Sequence, residues 1–247
     1  MNKQLLFVLP VATLTTLACS SKETVYQVVP APDAGTTPAD DDDDTPKVEC
    51  TAARESHLGP VAATSTGEVK VLSNEDGVTK IFVDATAGGI NNAKKNPRVY
   101  IKLDGTKVDI TDQESFTSSD WDLALKRVDI YTNGGDAGPG EGGGRLVNKD
   151  FGAVTAADGA GVRPEVFFTG DCERNIDEAS FIVTTFSGWY NYAESNNIPS
   201  AKPGTSFVVK SADGTLHKVG IISNTANPDG TTNNPVTAYY LLQVSKL

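Results

Sequence analysis

Residues 118–145 read SSDWDLALKRVDIYTNGGDAGPGEGGGR, a strand-forming run that empties into a loop holding seven of the chain's 23 glycines. Alternation puts Trp121, Leu123, Leu125 and Tyr131 on one face of that run and Asp122, Ala124, Lys126, Val128 and Ile130 on the other. The pattern predicts one half-buried strand with a mixed second face. Asn133-Gly134-Gly135 tolerates positive φ, which a tight exit from a strand requires. The loop beyond it, to Gly144, has almost no side chains. Two uses suit it: a flexible surface loop, or a backbone that closes over a flat ligand.

The first eighteen residues read as an export signal, with Lys3, an apolar run over residues 5–17, and Ala18 before Cys19. That run is too short to span a bilayer, and Pro10 argues against a buried helix. Thr16-Leu17-Ala18-Cys19 resembles a bacterial lipobox, with Thr16 where Leu is usual. This implies cleavage before Cys19 and lipidation of its thiol. Ser20 after the Cys resembles lipoproteins sorted to the outer membrane of Gram-negative bacteria. Residues 19–46 then form a tether rich in Pro, Ala, Thr and Asp, extended by the adjacent carboxylates of residues 40–44. A calcium loop would space those oxygens and include a Gly.

With Cys19 lipidated, two of the three cysteines remain, Cys50 and Cys172. An even remainder in an exported protein predicts a disulfide. Closing a loop of about 120 residues, it contributes roughly 4 kcal/mol on the chain-entropy account. Residues 47–247 are long enough for one domain with its own core. The formal net charge is −11, and the scattered cations form no basic stripe. Nucleic acid is therefore excluded as a partner.

Hairpin signals recur through this domain. Residues 68–72 and 79–83 flank Asn74-Glu75-Asp76-Gly77, and residues 99–103 and 107–110 flank Asp104-Gly105. Further strands are predicted over residues 179–186, 206–211, 216–223 and 236–244, with a hairpin loop at 224–234. Short helical turns are predicted at 112–116 and 190–196. The fold class is all-β, a single domain of antiparallel hairpins with few short helices.

Catalytic patterns are thin, and the chain reads as a non-enzyme. His57 and His217 are its two histidines, and neither belongs to a GxSxG or His-x-x-x-His pattern. Asp120 and Asp122 share a strand face about 7 Å apart, whereas glycosidase carboxylates face each other across a cleft. The stretch from Gly138 to Gly144 lacks the Lys-Ser/Thr of a phosphate-binding loop and a helix to follow it.

Trp121-Asp122-Leu123-Ala124, Arg127, and Thr132-Asn133-Gly134-Gly135 with its glycine-rich continuation resemble the signature of the HmuY family of haem-binding lipoproteins. Gly188-Trp189-Tyr190-Asn191-Tyr192, Asp213-Gly214 and Lys218 follow in the family's order, and the similarity covers roughly residues 69–247. The resemblance implies an all-β, outer-membrane-anchored carrier that holds haem in a cleft between loops and passes it to a transporter. Family members hold the iron through His or Met. Here Lys126 stands before Arg127, where several members carry His, and the one methionine is Met1.

The site residues that follow from the resemblance are Lys126, Arg127, Tyr131, Asn133, Gly134 and Gly135. Lys126 or Arg127 would pair a propionate. Tyr131 could ligate ferric iron as phenolate, and Lys126 could do so only if burial deprotonates it. Two other readings stay open. One is a lipoprotein of the same fold that has lost haem ligation and binds another protein or a small planar ligand. The other is a secreted hydrolase using Asp120 or Asp122.

Overall fold

The computed structural model describes residues 50–178, 180–193 and 198–247. The expected signal (1–18), the lipidation site Cys19 and the tether (19–46) lie outside the described residues. No helix among the described residues is long and apolar enough to cross a membrane.

A short helix, α1 (Thr51–Leu58), precedes the strands β1 (Val69–Glu75), β2 (Val78–Asp84), β3 (Val99–Ile101), β4 (Lys107–Val108), β5 (Leu123–Lys126) and β6 (Asp129–Thr132). Then come β7 (Gly143–Val147), β8 (Tyr190–Ala193), β9 (Ile198–Ala201), β10 (Ser206–Lys210), β11 (Leu216–Ser223) and β12 (Tyr239–Lys246). One sheet has the order β1-β2-β12-β11-β10-β7, a second β4-β3-β5-β6, and β8 pairs with β9 alone. Every pairing of these strands is antiparallel.

Period-two alternation in the large sheet sends Ile81, Val83, Phe207, Val209, Val219, Tyr240 and Leu242 to one face. There they meet Val99, Ile101, Leu123, Leu125 and Ile130 of the small sheet. The opposite face of the small sheet carries Tyr100, Ala124 and Tyr131. These pack with Trp121, Phe167, Phe168 and Leu58 of α1. Burial on both faces explains the unbroken apolar run Leu123-Ala124-Leu125, which a sheet wetted on one side would not need.

Three local expectations are corrected, and one helix is added. The single strand predicted through residues 121–131 is a hairpin, with Lys126 opposite Asp129 across a turn at Arg127-Val128. Arg127 adopts φ 56, a position such turns usually give to Gly. Tertiary bonds hold it there: its N–H donates to the Ala85 carbonyl (2.8 Å) and its own carbonyl accepts the Tyr240 hydroxyl (2.7 Å). The hairpin sends Leu123 and Leu125 to the main core with Ile130, and Tyr131 to the second cluster with Trp121. The helical turn expected at 190–196 is strand β8, residues 194–196 lying outside the described residues. Where a strand is expected over 179–186, residues 180–186 are an irregular segment, joined to its neighbour by a bridge between Ile176 and Ile182, and residue 179 lies outside the described residues. Helix α1 was not anticipated; it stops at Gly59 in the left-handed conformation.

Cys50 and Cys172 form the expected disulfide across 122 residues. It ties the residue before α1 to the turn that opens the 173–190 segment.

The glycine-rich loop is packed. Asn133 is fully buried, its amide nitrogen donating to the carbonyls of Ser118 and Trp121 (both 2.9 Å) while its amide oxygen accepts the Gly140 N–H (3.1 Å). A Cβ on Gly134 would stand 2.0 Å from the Gly142 carbonyl oxygen. The run then continues into β7 on the edge of the large sheet, so these glycines serve close backbone approach. Gly134→Ala is expected to cost about 3 kcal/mol or more, through overpacking against backbone that cannot retreat. Gly152→Ala, where a Cβ meets nothing within 4 Å, should stay within about 0.5 kcal/mol of the parent. Urea unfolding midpoints check the pair.

Candidate ligand cleft

Two segments face each other beside the second aromatic cluster: the β5–β6 hairpin, and the irregular chain between Cys172 and β8. Their spacing is set by Glu165, a carboxylate only 1% exposed. Its oxygens accept the backbone N–H groups of Thr132 and Thr185 (both 2.8 Å) and the hydroxyls of the same two threonines. Thr132 ends β6, and Thr185 belongs to the facing segment. Burial pushes the Glu165 carboxyl up, and the four donors oppose that rise.

The upper part of the facing segment is anchored by Trp189. Its indole N–H donates to the Val128 carbonyl (3.0 Å), and its ring lies edge-on to Tyr240 (centroids 5.5 Å) and Tyr190 (4.8 Å). Lower down, the Phe181 N–H donates to the Asp177 carboxylate (2.9 Å).

The space left between the segments has two lobes. One, of about 260 Å³, is lined by Val128 and Asp129 on the hairpin and by Asp177, Phe181, Ile182, Thr184, Trp189 and Tyr190 among the facing residues. The other, of about 180 Å³, is lined by Arg98, Tyr131, Phe167, Arg174 and Ser180. Both share Asp129, Phe181, Ile182 and Thr184. Each alone falls below the roughly 300 Å³ at which sites for drug-sized ligands begin, so such a ligand draws on both. Phe181, half exposed at 50%, offers an apolar ring there.

Charge in the cleft is mixed. Burial pushes the Asp129 carboxyl up, while Arg98 and Lys126 pull it down. Burial lowers the Lys126 ammonium, and the nearby Arg98 charge lowers it further. Tyr190 is raised by burial and then by the Asp177 and Asp129 carboxylates. Burial also pushes Tyr131 up to about 12. Beneath the second lobe, Arg98 donates to Asp112 (3.2 Å) and to the Leu58 carbonyl (2.9 Å), its guanidinium 5.5 Å from the Tyr131 ring centroid.

The residues singled out from the sequence are dispersed. Lys126 closes the hairpin opposite Asp129, and Tyr131 floors the second lobe. Arg127 turns its guanidinium to Thr237, within 3.2 Å of the hydroxyl. Asn133, Gly134 and Gly135 belong to the packed loop, where a Cβ on Gly135 would meet the Glu165 carbonyl oxygen at 2.2 Å. His217 lies on β11 with its ring nitrogen 3.3 Å from the Thr215 carbonyl. His57 lies in α1, and its side chain is outside the described residues.

The paired-carboxylate proposal meets a structural role. Asp122 accepts the backbone N–H groups of Leu103 (2.9 Å) and Ala212 (2.8 Å), bracing the small sheet against the β10–β11 turn. Among the described residues, no three His, Cys, Asp or Glu side chains converge to hold a metal ion. Sequence reading missed Asp129, Asp177 and Phe181 as cleft residues. Only the adjacent aromatics Trp189-Tyr190 gave a signal there.

The clamp makes a testable prediction. Glu165→Ala leaves the buried N–H groups of Thr132 and Thr185 without acceptors and is expected to cost about 3 kcal/mol; Glu165→Gln keeps an acceptor and costs less. Because folding raises the Glu165 carboxyl above its ordinary value of 4.5, the native state binds more protons than the unfolded one just above that pH. The contribution of Glu165 to stability therefore declines as pH rises from about 4.5 through the raised value, then levels. The difference between the urea midpoints of the parent and Glu165→Gln, measured from acidic to neutral pH, should shrink along this slope, since the other carboxylates are common to both.

Residues 94–240 match the sequence model of the HmuY protein family. Similar solved structures include a Bacteroides fragilis protein described as a lipoprotein, with 17% identity over 71% of this chain and 92% of that one and a TM-score of 0.41. A Bacteroides vulgatus protein described as HmuY-like and heme-binding has 20% identity over 71% and 94%, TM-score 0.41. The apo HmuY analog of Tannerella forsythia has 16% identity over 76% and 93%, TM-score 0.36. No curated protein matches the sequence. The family match runs from the turn before β3 to the start of β12 and takes in both walls of the cleft; the chain belongs to the HmuY family.

Proposed function

We propose that this protein is a lipid-anchored haem carrier that holds its ligand in the two-lobed cleft and performs no chemistry on it. The observation that carries the reading is the family match spanning every strand that bears the cleft. The composition of the cleft supports it. Phe181, Ile182 and Trp189 supply flat apolar surface for a porphyrin face. Arg174 and Lys126 supply cations for propionates, Arg174 from within the second lobe and Lys126 from the hairpin end. Tyr131 and Tyr190 are the side chains lining the lobes whose type is known to ligate haem iron. Arg127, Asn133, Gly134 and Gly135 act at one remove, holding the hairpin and its exit in place.

Anchoring rests on the sequence: an export signal over residues 1–18 and Cys19 as the lipidated residue. The same reading puts the protein at a Gram-negative outer membrane, handing haem to a transporter there.

A second reading is favoured by one observation. Among the described residues the lobes present no imidazole or thioether, and two carboxylates, Asp129 and Asp177, line them. On that reading the cleft takes a small planar molecule without iron ligation.

Titration of the purified protein with hemin separates the two. The haem reading expects a saturable, shifted Soret band at micromolar protein, with iron-free protoporphyrin competing weakly. No saturable shift rejects it, and equal binding of the iron-free ring favours the second reading.

A further inference from the structure

We propose that Tyr190 is the iron-ligating residue of the cleft, taking ferric haem through its phenolate oxygen; this rests on the haem reading above. Of the described side chains lining the two lobes, only Tyr131 and Tyr190 are of a kind that serves as a haem axial ligand. They differ in what already holds them. Tyr131 is 3% exposed, packed edge-on to Trp121 (centroids 6.0 Å) and Phe167 (5.2 Å), with the Arg98 guanidinium beside its ring. Bringing iron to its hydroxyl would break up the second aromatic cluster. Tyr190 is half-buried at the start of β8, on the wall of the larger lobe.

The ring of Tyr190 is oriented, but among the described residues its oxygen is uncommitted. It lies edge-on to Trp189, which is itself fixed by the Val128 carbonyl and the Tyr240 ring. The buried hydroxyls of Tyr100 and Tyr240 donate to Asp112 and to the Arg127 carbonyl. The Tyr190 hydroxyl makes no such bond with a described residue. On ligation the phenol O–H bond breaks as the iron–oxygen bond forms, and the proton leaves to solvent. The metal's own charge takes over the role of that proton.

Asp129 and Asp177 lie in the same lining. Their negative charge favours ferric porphyrin, which carries one more positive charge at the metal than the ferrous form. A site of one phenolate and two nearby carboxylates is thus selective for oxidised haem.

The test is spectroscopic. Hemin is added to the full chain and to its Tyr190→Phe and Tyr131→Phe variants, with circular dichroism and urea midpoints confirming that each folds. The parent should show a phenolate-to-iron charge-transfer band with enhanced tyrosinate modes in resonance Raman. Tyr190→Phe should lose both and bind hemin at least about tenfold more weakly, while Tyr131→Phe keeps both. Dithionite reduction should weaken haem retention by the parent against an apo-globin acceptor, and Tyr190→Phe should show a smaller dependence on oxidation state, the part that Asp129 and Asp177 supply. Persistence of the tyrosinate signature in Tyr190→Phe, or its loss in Tyr131→Phe alone, overturns the assignment. A parent that binds hemin without any tyrosinate signature also overturns it and leaves the haem reading standing, whereas a parent that takes up no hemin fails the haem reading itself.

Discussion

A buried carboxylate, Glu165, holds the arrangement together. An ionised carboxylate removed from water is expensive unless it is fully hydrogen-bonded, and here four donors from two threonines satisfy it. Two of those donors end β6 and two belong to the irregular facing segment. The bonds therefore fix the distance between the two walls, which no strand pairing does. The Cys50–Cys172 disulfide and the Trp189 indole add two further fixed points to the same segment. A wall with almost no regular secondary structure is thereby held in one conformation by a few specific polar contacts.

The glycine-rich loop takes on a different meaning in this light. Its lack of side chains suits a loop that folds over a ligand, but each missing Cβ is needed for the chain's contact with itself. Asn133 organises the turn from inside, and Gly134, Gly140 and Gly142 pass within contact of its neighbours or its backbone. The loop contributes to the site indirectly, by fixing where β6 ends and hence where Thr132 meets Glu165.

The hairpins with Asp-Gly turns were legible because local chemistry alone determines them: Asp76 and Gly77 both adopt positive φ, as that turn requires. Cysteine parity likewise gave the Cys50–Cys172 pair. The β5–β6 turn was not legible, since nothing local to Arg127 favours a left-handed backbone. Ala85 and Tyr240, distant in sequence, hold it there. The same limit hid the cleft. Asp129 and Phe181 become neighbours only through the Glu165 clamp and the disulfide, and residues 173–189 have no periodicity to announce a wall. Trp121-Asp122-Leu123-Ala124 pointed to the family because those residues are structural: Trp121 packs the second cluster and Asp122 braces the sheets. A motif that encodes the scaffold identifies the fold and says little about which side chains face a ligand.

The central claim is that ligand enters between the hairpin and the 173–190 segment and leaves the glycine loop untouched. Amide hydrogen exchange with and without hemin tests this most directly. The account predicts added protection at residues 126–129 and 174–190, and no change across 138–144. Protection concentrated in 138–144, with the 174–190 segment unaffected, would contradict it.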